Sequence, residues 1–598
     1  MQSVSGVTAS FYKMGDSTPC LVAPLKWVGL SKGGDIFMLS WRHSHLPVGL
    51  YACLITCQTP EGERYVVCDT DENGALTENC PTGHTKQILI YKRKYPQCTW
   101  LEGGIMYQIF VDRFARGEET PLSDGSIFNP DWDNGIPQFP AYPGAPLKNN
   151  MFFGGNFSGI IDKLPYLASL HVNCLYLSPI CKATSNHKYD TGDYMEVDPS
   201  FGGEERLKQL IEKAKEYGIH IILDGVFNHT GDDSIYFNRY GKYPSVGAYQ
   251  SKSSPYANWF TFEKFPDTYA CWWGIAILPK LNLQNEEVRA FITGAGGVIE
   301  HYAQMGIDGF RLDVADELDD DFIASIKSKL ASVSSQNVLY GEVWEDASCK
   351  IAYDTLKQYY WGKQLDGVMN YPLCQGILRY IKYGETGPLR YAIETVMRNA
   401  PKDIMHLQMN FLGTHDTERI ISALSDISFE GKSNAEIAHL KLSHHEREVA
   451  KTRLKLAYLA LITMPGVPMI YYGDEIGMEG YKDPFNRMPY PWKHQDIELL
   501  SYMQQILALR KHNSVYANGN IKVLHMDENA MLYLRENNQS RHLIVINRGE
   551  IPMQLHINGK HQVLFGATSH NNLVSVAPNT GSIISLSKKA NGRLTIGE

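Results

Sequence analysis

Eight short apolar runs punctuate residues 105–475, and they constrain the fold more than anything else in the sequence. They read IMYQIFVDRF (105–114), VNCLYLSPI (172–180), HIILDGVFNH (220–229), DGFRLDVAD (308–316), VLYGEVW (338–344), DGVMNYPL (366–373), MNFLGTHD (409–416) and VPMIYYGDE (467–475). Runs this short and this apolar read as strands buried on both faces. Helix-like stretches separate several of them. EERLKQLIEKAKEYG (204–218) sets Leu207, Leu210, Ile211 and Ala214 on one face, and TRLKLAYLALIT (452–463) is more fully apolar. Eight β-then-α units predict the α/β class: a closed parallel (β/α)8 TIM barrel inside a ring of helices. An open doubly wound sheet is the alternative. The barrel is preferred because polar residues end many of the strands instead of gathering at one switch point.

The grammar differs on either side. Residues 1–98, with GLYACLITC (49–57) and KQILIYKRKY (86–95), predict an N-terminal β-sandwich domain. Residues 515–598, with HLIVINR (542–548) and GSIISLS (581–587), predict a C-terminal one. The barrel then occupies 99–514. Residues 231–285 interrupt it after the third run; they are rich in Tyr, Ser, Asn and Trp, lack a helical period and read as an inserted subdomain.

A chain of 598 residues is too long for one core, so several domains are expected. A formal net charge of −9 argues against a nucleic-acid partner, and the short basic run YKRKY (91–95) reads as a solvated face. No window approaches about 18 uninterrupted apolar residues, so no membrane span is expected. The first twenty residues lack the pattern of a signal peptide. Eleven cysteines without regular spacing read as free thiols in a reducing compartment, which points to the cytoplasm.

The strand ends carry the chemistry. The third run ends with Asp224, Asn228 and His229, the fourth with Arg311 and Asp313, the fifth with Glu342, the seventh with His415 and Asp416. In a barrel these ends meet at one rim. A lone Asp after a strand ordinarily caps a helix. Several carboxylates converging on one rim are harder to explain that way, because like charges repel and need a reason to persist. With no phosphate loop and no metal-ligand spacing, the set suits glycoside hydrolysis, where one acid protonates the leaving oxygen and another attacks or activates water. Arg311 would keep Asp313 ionised. Glu342 must hold a proton, and its neighbours Val343 and Trp344 offer an apolar setting for that. Zinc is the rival reading, but FNH and THD lack the H-E-x-x-H spacing.

At these residues the chain resembles the alpha-amylase family of glycoside hydrolases, over roughly 100–510. DGVFNH, GFRLDVADE, GEVW and FLGTHD are similar to that family's four core motifs. The resemblance implies Asp313 as nucleophile, Glu342 as general acid/base and Asp416 as the third carboxylate. It implies sugar binding by Asp224, His229, Arg311, Trp344 and His415. NHKYDTGDY (186–194) resembles the stretch that supplies His187 and Tyr189, and DPFNRMPYPW (483–492) the one that supplies Asp483 and Arg487. LPKLN (278–282) and VADE (314–317) resemble the neopullulanase, cyclomaltodextrinase and maltogenic amylase group. Leu278 and Asp316 depart from that group's Met and Asn.

Membership of that group would make the chain an α-1,4-glucan hydrolase acting on maltooligosaccharides, cyclodextrins, pullulan or starch-derived glucans. The alternatives are a transglycosylase using the same covalent intermediate and an enzyme acting on α-1,6 bonds. A non-catalytic relative is disfavoured because all three acids are present. The group also implies a homodimer through the N-terminal domain. No cofactor is required on this reading. Calcium is left open, with Asn156 as a candidate ligand, although Arg116 and Lys280 bring cations to the places where the family binds it. Of Trp259, Trp272 and Trp273, at least one is as well suited to stack on a sugar as to fill a core.

Overall fold

The computed structural model describes residues 4–31, 34–40, 46–68, 74–80, 86–142, 144–587 and 595–597. Each of the eight apolar runs supplies one strand: β1 Met106–Ile109, β2 Cys174–Leu177, β3 His220–Gly225, β4 Gly309–Leu312, β5 Val338–Gly341, β6 Gly367–Val368, β7 Met409–Phe411 and β8 Val467–Tyr471. All neighbours pair in parallel. The order is β6-β5-β4-β3-β2-β1-β8-β7. A parallel bridge between Met369 and Met409 joins the two ends and closes the ring. The fold is a TIM barrel, and the open sheet is excluded.

Alternation along these strands sorts side chains into two cores. Met106, Tyr176, Ile222, Val338, Tyr340, Met409, Phe411 and Met469 fill the barrel interior, while Tyr107, Leu175, Leu223, Phe310 and Leu339 face the helices. A period of two therefore carries Gln108, Asp224 and Arg311 to the interior as well, two residues beyond Met106, Ile222 and Gly309. Register sets Asp224 of β3 beside Arg311 of β4. Gly309 has φ +155°, and a Cβ there would lie 2.1 Å from the Val338 carbonyl oxygen, so only glycine lets β4 enter against β5.

The outer helices follow the sequence pattern. Helix α1, Gly203–Glu216, buries Leu207, Leu210, Ile211 and Ala214. Helix α2, His444–Thr463, begins with a capping box between Ser443 and Glu446 and is buried almost continuously from Leu456 to Thr463.

The N-terminal region is less even than the expected sandwich. Six strands form one sheet around Gly49–Thr59, and Lys26–Ser31 and Gly34–Met38 form a separate hairpin. The C-terminal region is a five-stranded sheet against a four-stranded one. Leu532, Leu543, Val545, Leu555 and Val574 are buried in its core. After β3 the chain runs through short 3-10 turns and a two-stranded ribbon, Phe262–Lys264 with Thr268–Tyr269, before helix Glu286–Thr293.

Candidate active site

A cavity of about 720 Å3 opens at the C-terminal rim of the barrel. Asp313, Glu342 and Asp416 line it, as do His187, Tyr189, His229, Trp344, His415, Asp483 and Arg487. The strand ends bring these side chains together from distant parts of the sequence, in the manner of barrel enzymes.

Asp224 and Arg311 do not line it. Both side chains are wholly buried one layer below. The physical reason is charge: the Arg311 guanidinium is already engaged by three carboxylates. Its NH1 donates to Asp224 Oδ1 at 2.9 Å and to Asp313 Oδ1 at 3.0 Å. Its NH2 lies 2.9 Å from Glu342 Oε2. That last contact is off the line of the N–H bonds, so it is electrostatic and not a hydrogen bond. In this structure Asp224 and Arg311, expected to bind sugar, support the acids from beneath the cavity.

Glu342 is held from two further sides. Its Oε2 accepts the Val314 N–H at 2.9 Å, and its Oε1 accepts the Trp344 indole N–H at 3.2 Å. The apolar surround expected from Val343 and Trp344 is absent here, because Val343 points into the core and Trp344 offers its polar edge. The Trp344 ring stacks on Tyr371 at 3.8 Å and stays half exposed. Val314 adopts φ 40°, ψ 55°, a left-handed conformation that a β-branched residue rarely takes. That strain aims its N–H at Glu342.

Burial pushes the Asp313 carboxyl well above the ordinary carboxylate range; Arg311 opposes this, and Glu342, Asp224 and Asp416 reinforce it. The expectation that Arg311 keeps Asp313 ionised is thus only half met. One guanidinium does not offset burial and the neighbouring carboxylates, so the Asp313 carboxyl stays raised.

A relay runs beside the acids. Gln108 donates to His415 Nδ1 at 2.8 Å, which leaves the proton on Nε2. Nε2 lies 2.5 Å from the Tyr189 hydroxyl and 3.1 Å from Asp416 Oδ2. The Tyr189 hydroxyl donates to Asp224 Oδ2 at 2.7 Å, and Tyr176 donates to the same oxygen at 2.6 Å. Burial holds His187 and His415 neutral, well below the usual imidazole range. Burial also lowers His229 to about 4. Its Nδ1 meets Asn228, while its Nε2 has no partner among the described residues and borders the cavity. On the far side Arg487 reaches Asp416 Oδ1 at 3.3 Å and Asp483 at 3.1 Å.

Sequence reading missed several lining groups. Asn149, Val314, Glu345 and Lys350 border the cavity. Lys350 pairs with Asp316 at 3.0 Å, and no motif signals it. Gln108 and Tyr176 did carry a signal, being polar groups inside otherwise apolar strands. Of the three tryptophans, Trp259 is core, whereas Trp272 and Trp273 line the cavity. Trp273 is 79 % exposed and donates its indole N–H to Glu317 at 2.9 Å.

The residues considered for calcium do not fit a divalent ion. Asn156 Oδ1 caps a helix by accepting the Gly159 N–H, and its Nδ2 donates to Glu118 O at 2.7 Å. The Arg116 guanidinium donates to the carbonyls of Phe153, Pro130 and Asn129 at 2.6, 3.0 and 2.8 Å. A fixed cation already holds those oxygens. Lys280 pairs with Glu317 at 2.8 Å. Among the described residues no group of three or more His, Cys, Asp or Glu side chains could hold a metal.

Known proteins resemble this chain in sequence and in fold. The chain is 35 % identical over 484 residues to an amylopullulanase of Thermoanaerobacterium saccharolyticum, covering 73 % of this chain and 36 % of that protein. It therefore spans only about a third of the length of that relative. It is 32 % identical to neopullulanase 2 of Thermoactinomyces vulgaris, over 84 % of this chain and 78 % of that protein. The type III pullulan hydrolase from Thermococcus kodakarensis superposes with a TM-score of 0.69 and 25 % identity, covering 97 % of this chain and 95 % of that one. The model of the alpha amylase catalytic domain matches residues 108–534, from within β1 through β8 and including Asp313, Glu342 and Asp416, and the chain belongs to the alpha-amylase family.

Proposed function

We propose that the protein is a retaining hydrolase of α-1,4-linked glucans, with maltooligosaccharides, cyclodextrins, pullulan and starch-derived chains as its substrate class. One observation carries this reading: Asp313 and Glu342 meet at two nitrogens of one guanidinium, at the floor of an open cleft. That closeness suits the carboxyl spacing of roughly 5 to 5.5 Å used in double displacement. Glu342, held by the Val314 N–H, donates its proton to the leaving oxygen. Asp313 attacks the anomeric carbon and forms a glycosyl ester. Glu342 then takes a proton from water, which displaces Asp313 and restores the starting configuration. Asp416, His415, His229 and Arg487 hold sugar hydroxyls. Asp313→Asn should lower kcat by several orders of magnitude while leaving the fold intact. Retention of more than about a tenth of the wild-type rate, a loss of only about 1.4 kcal/mol of barrier, would sink the assignment.

The second reading is glucan transfer through the same intermediate. The exposed rings of Trp273 and Trp344 favour it, since they can hold an acceptor sugar as well as a leaving group. Products formed from maltoheptaose, β-cyclodextrin and pullulan separate hydrolysis from transfer and show whether α-1,6 bonds are cut.

The reading extends to a homodimer through the N-terminal domain. Its hairpin exposes Trp27 (56 %) and Leu30 (71 %) on one face, apolar surface of the kind that interfaces cover. Light scattering of the full chain should give twice the monomer mass, and deletion of residues 1–98 should halve it; a full-length monomer at micromolar concentration overturns the dimer. No metal is needed on this reading, because Arg116 supplies the positive charge. A cytoplasmic setting is supported by free thiols such as Cys98, Cys174 and Cys374, buried where no partner cysteine is bonded. No helix among the described residues is long and apolar enough to cross a membrane.

A further inference from the structure

A second cavity, of about 410 Å3, lies where the N-terminal domain meets the barrel, away from the cleft. Its walls carry Lys92, Arg93 and Lys94, from the segment leaving the last N-terminal strand, and Trp361, Lys363 and Gln364, from the loop between β5 and β6. Backbone bonds fasten these two walls together. Lys92 N–H donates to Trp361 O at 3.3 Å and Lys94 N–H to Gly362 O at 2.8 Å. Gly362 has φ +99°, and a Cβ there would lie 2.2 Å from the Lys92 carbonyl oxygen, so the approach requires glycine.

The electrostatics of this cavity run against the rest of the molecule. The chain carries −9 overall, yet no carboxylate lines the cavity among the described residues. Arg93 is already engaged: its Nε meets Asp403 at 2.5 Å and its NH1 lies 3.7 Å from Asp366. Lys94 lies over the Tyr95 ring at 5.0 Å. Lys92, Lys94 and Lys363 line the space with no ion-pair partner among the described residues. Three exposed ammoniums at the mouth of one concavity, none with an ion-pair partner among the described residues, suit a multiply charged anion.

Two buried polar atoms sharpen the choice. The Trp361 indole N–H and the Gln364 Oε1 have no partner among the described residues, and Gln364 is only 4 % exposed. Leaving such a group unmet costs about 1–3 kcal/mol, which a ligand can recover. The indole needs an acceptor, which a phosphate supplies. Gln364 Oε1 needs a donor, which a fully ionised phosphate lacks and a sugar hydroxyl has. The indole face also offers an apolar platform for a pyranose ring.

We propose that this cavity binds a phosphorylated sugar, its phosphate held by Lys92, Lys94 and Lys363 and a hydroxyl donating to Gln364. The binding is independent of the cleft and of the reaction proposed there.

Isothermal titration of the full chain with glucose 6-phosphate, inorganic phosphate, sulfate and glucose tests this. Glucose 6-phosphate should bind about tenfold more tightly than inorganic phosphate, a gap of about 1.4 kcal/mol, and glucose alone should give no heat. The Lys92→Ala/Lys363→Ala double variant should weaken glucose 6-phosphate by at least about tenfold. Gln364→Leu should weaken glucose 6-phosphate and leave sulfate, an anion with no hydroxyl to donate, unchanged. Saturating the cleft of Asp313→Asn with maltotriose should leave the titration unaltered. Equal affinity for glucose 6-phosphate and inorganic phosphate, no binding at millimolar ligand, indifference to the lysine substitutions, or competition by maltotriose would each overturn the proposal.

Discussion

Arg311 is the residue on which the cleft depends. It is wholly buried and faces Asp224, Asp313 and Glu342 at 3.0 Å or less. Removing one partner of a buried charged network costs about 3–5 kcal/mol, far more than a surface pair. Arg311→Met also leaves Asp313 and Glu342 without the cation that holds both, and should lower kcat by about a thousandfold or more, equivalent to about 4 kcal/mol of barrier. The sign of its pH effect also follows. Arg311 pulls the Asp313 carboxyl down against burial, so its loss lets that carboxyl rise further. The nucleophile works only when ionised. The acid limb of the kcat/KM profile should move to higher pH, and an unmoved limb in the residual activity would show that Arg311 does not set this ionisation. The sequence makes Arg311 and its acids legible because charge at the end of an apolar strand is unusual. It does not show that Arg311 lies beneath the cleft. That depends on the period-two register with Asp224, which only the closed barrel fixes.

At the scale of elements, strands are easier to read than the loops that connect them. A strand buried on both faces must be short and apolar, so all eight are visible in the sequence. The N-terminal strand Ser5–Lys13 is not, since its Ser, Thr and Tyr residues dilute the apolar signal, although it pairs on both edges. Loop positions obey no period. Lys350 and Asn149 reach the cleft through chain reversals that no local pattern announces. The segment after β1 shows how a loop can change its chemistry with one residue. Arg116 ties three carbonyls together and lies over the rings of Phe128 and Trp132 at 5.1 and 5.0 Å. Arg116→Met should lower stability by about 1–3 kcal/mol, as charge-assisted hydrogen bonds are lost and the carbonyls turn to water. EDTA should leave the thermal midpoint of the wild type unchanged. A drop on chelation, reversed by calcium, would show that a divalent ion and not Arg116 organises this loop.

At the scale of the whole molecule, the C-terminal sheets are pinned to the barrel at the end of helix α2. Arg510 donates to Ile462 O at 2.6 Å and to Gly104 O at 3.2 Å. Arg535, from the C-terminal sheet, bonds Thr463 O, Val515 O and Gly519 O. Two cations at a helix C-terminus meet its unpaired carbonyls and its dipole. Electrostatics at this joint makes it sensitive to acid through His406. That ring is 5 % exposed, and neither of its nitrogens has a partner among the described residues. Burial lowers its pKa to about 4, with Arg535, Lys402 and Arg510 adding to the effect and Asp403 opposing it. The unfolded chain takes up that proton near the ordinary value of about 6.5. Stability owed to a neutral His406 is thus complete above about 6.5 and is lost as pH falls toward about 4. Leucine in its place has nothing to titrate. The stability of His406→Leu relative to wild type should therefore rise as pH is lowered from 7.5 to 5, by up to about 2 kcal/mol, since each pH unit below 6.5 contributes about 1.36 kcal/mol. Comparing the two proteins cancels the other titrating groups, including Asp474, whose burial raises it to about 7 and which acts in the opposite sense. Denaturant melts of both proteins at the two pH values read the difference directly. A gap that stays constant would mean that His406 takes up its proton at the same pH in the folded and the unfolded protein, so that the joint between barrel and C-terminal domain accommodates a third buried cation in acid.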